Sequence, residues 1–179
     1  MEKSEWVVFC DVLRLFTPYI LALIVYLVWH KQKGKEVIAS EARNALATLN
    51  SMQKIRIEML SVIKKLLLDF SENGLNTIMY ESFEIKLNEF ELKRDEMHQS
   101  IMFICDAKLD IKLLDKFLIK NNNIFDQMLH IKEKYTAEYL AVKENRINFM
   151  DVFSQDSAKI NNEINDLKDL VLDYALYRK

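Results

Sequence analysis

The chain has 179 residues, half of them apolar and 29% charged, enough for a buried core and a soluble surface. It holds only two glycines and one proline, and this shortage of turn residues excludes a sheet protein in favour of a few long helices. The net charge is −2, with both signs interleaved, as in Glu89, Glu91, Lys93, Arg94, Asp95 and Glu96, which is the pattern of solvated helix faces and points away from direct nucleic-acid binding.

The first element is an apolar segment. No charged residue occurs from Leu15 to Trp29, and extension back to Trp6 is interrupted only by Asp11 and Arg14. A bilayer core of about 30 Å needs about 20 helical residues, which the extended run supplies. Trp6 at one end and Tyr26 and Trp29 at the other resemble a pair of aromatic belts. The preceding residues are net acidic and no small-residue cleavage site occurs before His30, so a single transmembrane helix over residues 1–30 is expected rather than a secretory signal. Lys31, Lys33 and Lys35 follow the span, whereas only Lys3 precedes it. The positive-inside rule then places the N-terminus outside and residues 31–179 in the cytoplasm.

An ionised side chain facing lipid costs at least about 2.5–3.5 kcal/mol. Asp11 and Arg14 are spaced to pair on a helix, and at the helical repeat they share one face with Cys10, Thr17 and Pro18, continued by Leu21, Val25 and Val28. An interfacial ion pair would explain them. So would a lumen lined by Asp11, Arg14, Thr17, Leu21, Val25 and Val28, which requires self-association into a ring of roughly six to eight helices.

Downstream, apolar residues recur at helical spacing from Ile38 to Phe70, with Asn73-Gly74 as a stop, and Gly34 is the only weak point before it. A second helix is expected from about Leu75 to Cys105, with Ile78, Phe83, Leu87, Phe90, Met97 and Ile101 on its stripe. A shorter piece spans Ile111–Ile119 and ends at Asn121-Asn122-Asn123. A third long helix runs from Ile124 through Phe125, Met128, Leu129, Tyr135, Tyr139 and Val142 towards Phe149. A loop near Ser154–Ser157 precedes a last helix carrying Ile160, Ile164, Leu167, Val171 and Tyr174. The expected fold is all-α: an N-terminal membrane helix followed by an antiparallel helical bundle.

Catalytic motifs are scarce. Cys10 and Cys105 form neither a disulfide framework nor a zinc pattern, His30 and His130 lack ligand spacing, and no Gly-rich phosphate loop occurs, so no metal and no cofactor are expected. Arg94 precedes His98 by one helical turn, which presents a phosphate-holding cation beside a general acid/base and makes the pair the weak catalytic candidates.

The anchor, the helical domain and this Arg–His pair together resemble the membrane accessory proteins of type VI-B CRISPR systems, which are RNA-guided and RNA-targeting. The soluble part resembles a divergent HEPN domain. The HEPN nuclease motif is Arg, four to six residues, then His. Arg94 and His98 enclose only three residues, and Arg146-Ile-Asn-Phe-Met-Asp151 carries Asp in place of His, a group unsuited to act as an acid at neutral pH. The resemblance therefore implies a non-enzymatic antiviral protein of the bacterial inner membrane. It would assemble into a homo-oligomeric pore, enhance an RNA-guided CRISPR RNA nuclease and depolarise the membrane. A membrane-tethered ribonuclease and a non-enzymatic membrane scaffold are the alternatives.

Overall fold

The computed structural model describes residues 5–73, 77–108, 110–136 and 149–176, with backbone alone for residues 5–12 and 69–73. Every regular element among them is a helix: α1 (Glu5–Asn73), α2 (Thr77–Lys108), α3 (Ile111–Lys134) and α4 (Phe149–Ala175). Two units are distinguished, residues 1–37 and residues 38–179. α1 contributes to both and continues through Gly34, where nothing stands within 4 Å of the place a Cβ would take.

Residues 38–179 form an up-down-up-down bundle. Glu41 meets Ser100 and Glu58 meets Lys86, so α1 and α2 run antiparallel. Lys132 meets Glu91 across α2 and α3, Asn123 meets Glu163 across α3 and α4, and Gln53 meets Asn161 and Asn165 across α1 and α4. The core follows from the three- and four-residue spacing of apolar side chains, which puts them on one side of each helix. Ala42, Leu49, Met52, Met59 and Ile63 of α1 face Phe83, Phe90, Met97 and Ile101 of α2. Phe117, Ile124 and Met128 of α3 and Phe153, Ile160, Ile164 and Leu167 of α4 close the interior.

Three sequence expectations are corrected. Asn121, Asn122 and Asn123 do not end a helix; α3 runs through them without a break. Phe117 and Ile124 lie two turns apart on one buried stripe, and the flanking asparagines bond to neighbouring helices (Asn123 Nδ2 to Glu163 Oε1 at 2.9 Å) instead of competing for their own backbone. The helix expected to reach Phe149 ends at Lys134, where the Tyr135 amide closes the last turn on the Ile131 carbonyl at 3.0 Å; Tyr139 and Val142 lie outside the described residues. The segment Ser154–Ser157 is not a loop but the second turn of α4, because Phe149, Phe153, Asp156, Ser157 and Ile160 are all buried on one side of it. Within the stripes, Ile78, Phe125 and Leu129 prove exposed. Leu75 and the side chain of Phe70 lie outside the described residues.

Candidate functional site

From Leu13 to Val37 no side chain is buried, although the run contains Leu15, Phe16, Ile20, Leu23, Ile24, Leu27 and Trp29. A water-exposed apolar surface all around a helix is the arrangement a bilayer stabilises. The segment is long and apolar enough to cross a membrane, with a mean hydropathy of 1.5 over its most apolar 18 residues.

One side of it departs from this pattern. Arg14, Thr17, Leu21, Val25 and Val28 fall within about 100° of one another around the helix axis. Pro18 has no N–H, so the Arg14 carbonyl lacks its usual helical donor. One residue earlier the Thr17 hydroxyl donates to the Leu13 carbonyl at 2.7 Å. A guanidinium, a free-edged carbonyl and a hydroxyl thus sit on the same side within one turn, while the wall below them is aliphatic. The side chains of Cys10, Asp11 and Trp6 lie outside the described residues. At the far end, the His30 ring stacks on Tyr26 (centroids 5.8 Å apart, planes within 16°), a pairing of amphipathic rings suited to an interface.

In the bundle, α2 presents Arg94 and His98 on one side, both half-buried against α3. The Arg94 guanidinium carbon lies 4.8 Å from the centre of the Phe125 ring, and Nη2 contacts Asp95 at 2.7 Å. The His98 ring lies 5.3 Å from that of Phe117, and its Nδ1 is 3.5 Å from Asn121 Nδ2. The two residues share a face, as their spacing requires, but each packs on its own aromatic ring of α3. A phosphate approaching Arg94 would have to compete with Asp95 for the guanidinium edge. Asp151 is exposed in the first turn of α4; Arg146 lies outside the described residues.

The polar groups that the fold does bury were not singled out by motif. Asp156 is 4% exposed, accepts from the Tyr135 hydroxyl at 3.2 Å, and faces His130 Nδ1 at 3.3 Å and Lys159 Nζ at 3.4 Å. Beside it Arg56 Nη1 donates to Ser157 Oγ at 2.9 Å, and burial lowers the Arg56 pKa. Gln53 bridges α1 to α4 by donating to Asn161 and Asn165 while Lys168 donates to its oxygen. At the other end of the bundle Tyr174 donates to Asp110 at 2.6 Å, and Asp110 also caps α3 by accepting from the Leu113 amide at 3.0 Å. Burial first, then the nearby Asp110 and Asp106, pushes the Cys105 thiol up to about 11. The one available signal was a polar residue on an apolar stripe, as Asp156 and Ser157 are between Phe153 and Ile160.

These networks tie helices together. Among the described residues no group of three His, Cys, Asp or Glu side chains is placed to hold a metal. No family model, no curated protein and no solved structure matches the chain. The exposed helix of residues 13–37, with Arg14 and Thr17 on one side, is therefore the feature on which a function is argued.

Proposed function

We propose that this protein inserts residues 1–30 in a membrane, holds residues 31–179 on the cytoplasmic side, and assembles through copies of itself into a ring around a pore. In this reading Asp11, Arg14 and Thr17 form a polar constriction, and Leu21, Val25 and Val28 form an apolar one below it, the pairing of charged rings and dewettable girdles that gives channels selectivity and gating. The observation that carries it is the wholly exposed apolar helix whose polar groups gather on one side. A guanidinium facing lipid at that position is costly, whereas a lumen would hydrate it.

The resemblance to the accessory proteins of type VI-B CRISPR systems supports the wider role: antiviral defence, with the pore enhancing an RNA-guided RNA nuclease by depolarising the membrane. Arg94 and His98 would then be packing residues of a non-enzymatic bundle, consistent with their contacts to Phe125 and Phe117.

Purified full-length protein reconstituted in liposomes is expected to release an encapsulated dye, and Arg14→Glu to abolish or change the selectivity of that leak. A monomer in mild detergent that leaves liposomes tight would overturn the pore. Phage protection that survives replacement of residues 1–30 by an unrelated membrane helix would leave a scaffold in its place.

A further inference from the structure

The outward sides of the bundle helices differ in charge. On α1, opposite its buried stripe, Arg43, Lys54, Lys64 and Lys65 are exposed with Ile57 and Leu68 among them. On α2, the corresponding side exposes Glu81, Asp95, Glu96 and Asp106 around Ile78, Ile85, Leu92 and Phe103. Hence α2 is apolar on two opposite sides: Phe83, Phe90, Met97 and Ile101 fill the core, while Ile78 and Ile85 are 76% and 64% exposed. Ile78, Ile85 and Leu92 recur every seven residues, the spacing of a seam along another helix.

Height along the bundle makes the two sides complementary. With Glu41 beside Ser100 and Glu58 beside Lys86, Ile57 lies level with Ile85, Lys54 with Glu89 and Lys64 with Glu81. Rotation about an axis parallel to the bundle preserves height, so the α1 side of one copy would meet the α2 side of the next with isoleucine on isoleucine and lysine on glutamate. A two-fold pairing through either side alone would set like charges against each other, which costs specificity and stability. Within their own chain Lys54 also pairs with Glu58, Glu89 with Lys86, Asp95 with Arg94 and Glu96 with Lys93, which leaves Lys64, Glu81 and the apolar seam as the main determinants.

We propose that the basic, apolar side of α1 and the acidic, apolar side of α2 are the two halves of a head-to-tail interface between copies of this chain. The inference rests on the reading that copies assemble, and it names the surfaces that do so. A head-to-tail contact that closes generates a ring.

The test uses the full chain in mild detergent, sized by light scattering. Lys54→Glu/Lys64→Glu and Glu81→Lys/Glu89→Lys are each expected to lose the large species, and the chain carrying all four substitutions to regain it, because Lys54 is level with Glu89 and Lys64 with Glu81. All sites lie on the bundle surface, so helical circular dichroism should be unchanged; if a charge variant does not fold, Ile57→Ser with Ile85→Ser tests the seam alone by the same loss. Single variants that assemble like the unmodified chain overturn the interface, while their dye leak keeps the pore standing. Failure of the four-substitution chain to reassemble also overturns it, since the two sides would then not pair with each other. Loss of leak with assembly intact, as expected for Arg14→Glu, would separate the lumen from the interface.

Discussion

Buried side chains of this bundle fall into two kinds with different sensitivities. Phe153 is fully buried, stacks on Phe149 at 6.0 Å and meets Tyr135 and Phe83 edge-on at 5.5 and 6.0 Å. Phe153→Ala removes a ring from a closely packed cluster and is expected to cost about 3–5 kcal/mol, measured by chemical denaturation. Tyr135→Phe keeps the packing and removes one donor to Asp156, leaving His130 and Lys159 beside it, an expected loss of about 0.5–1.5 kcal/mol in the same assay. Cys105 and Tyr174 respond to pH. Both pKa values are raised in the folded state, chiefly by burial, the thiol to about 11 from an unperturbed 9.0 and the phenol upward from 10.0 through its bond to Asp110 as well. Below about pH 9 both groups are protonated in folded and unfolded chains alike. Above it the unfolded chain releases protons first, so stability falls as pH rises from 9 towards 11. Melting temperature in detergent should drop across that window, and the drop should shrink in Cys105→Ala/Tyr174→Phe.

At the scale of elements, local propensity and tertiary burial disagree in two places, and burial decides both. Three consecutive asparagines are poor helix formers, each several tenths of a kcal/mol worse than alanine. Phe117 and Ile124 on one buried stripe hold α3 through them, and Asn121 and Asn123 turn to α2 and α4. Asn122 is exposed and has no such task, so Asn122→Ala should raise stability by about 0.5 kcal/mol, read as a small increase in melting temperature. The four-residue stretch from Ser154 to Ser157 contains two serines, a glutamine and an aspartate, a composition that reads as a loop. It is helical because Arg56 of α1 and Tyr135, the residue after α3, reach Ser157 and Asp156, so polar groups that would otherwise resist burial have partners there.

For the whole molecule, the uninterrupted apolar run belongs to one unit and the closed core to the other. Residues 38–179 hold the buried cluster from all four helices, whereas residues 13–37 bury nothing. Deletion of residues 1–37 should therefore leave a fragment that unfolds cooperatively and stays in the soluble fraction, while the full chain sediments with membranes. A fragment that remains in the membrane fraction would show that the bundle itself carries the attachment.

Much was legible in the chain because helical periodicity is a local property. The apolar run from Leu15 to Trp29, the alignment of Arg14 with Thr17, Leu21, Val25 and Val28, the stop at Asn73, and the stripes of α1 and α2 all follow from residue order and the helical repeat. What no local pattern contains is which side of a helix finds a partner. Tertiary structure decided that α3 passes through its asparagines, that Ser154–Ser157 is helical, that Asp156 is buried with Tyr135, and that Arg94 and His98 pack on Phe125 and Phe117. It also decided that Ile78, which its spacing places on the apolar stripe, lies on the outside. The physical reason is the same throughout: a side chain's burial depends on residues far away in the chain, and hydrogen-bond partners such as Arg56 for Ser157 stand a hundred positions apart.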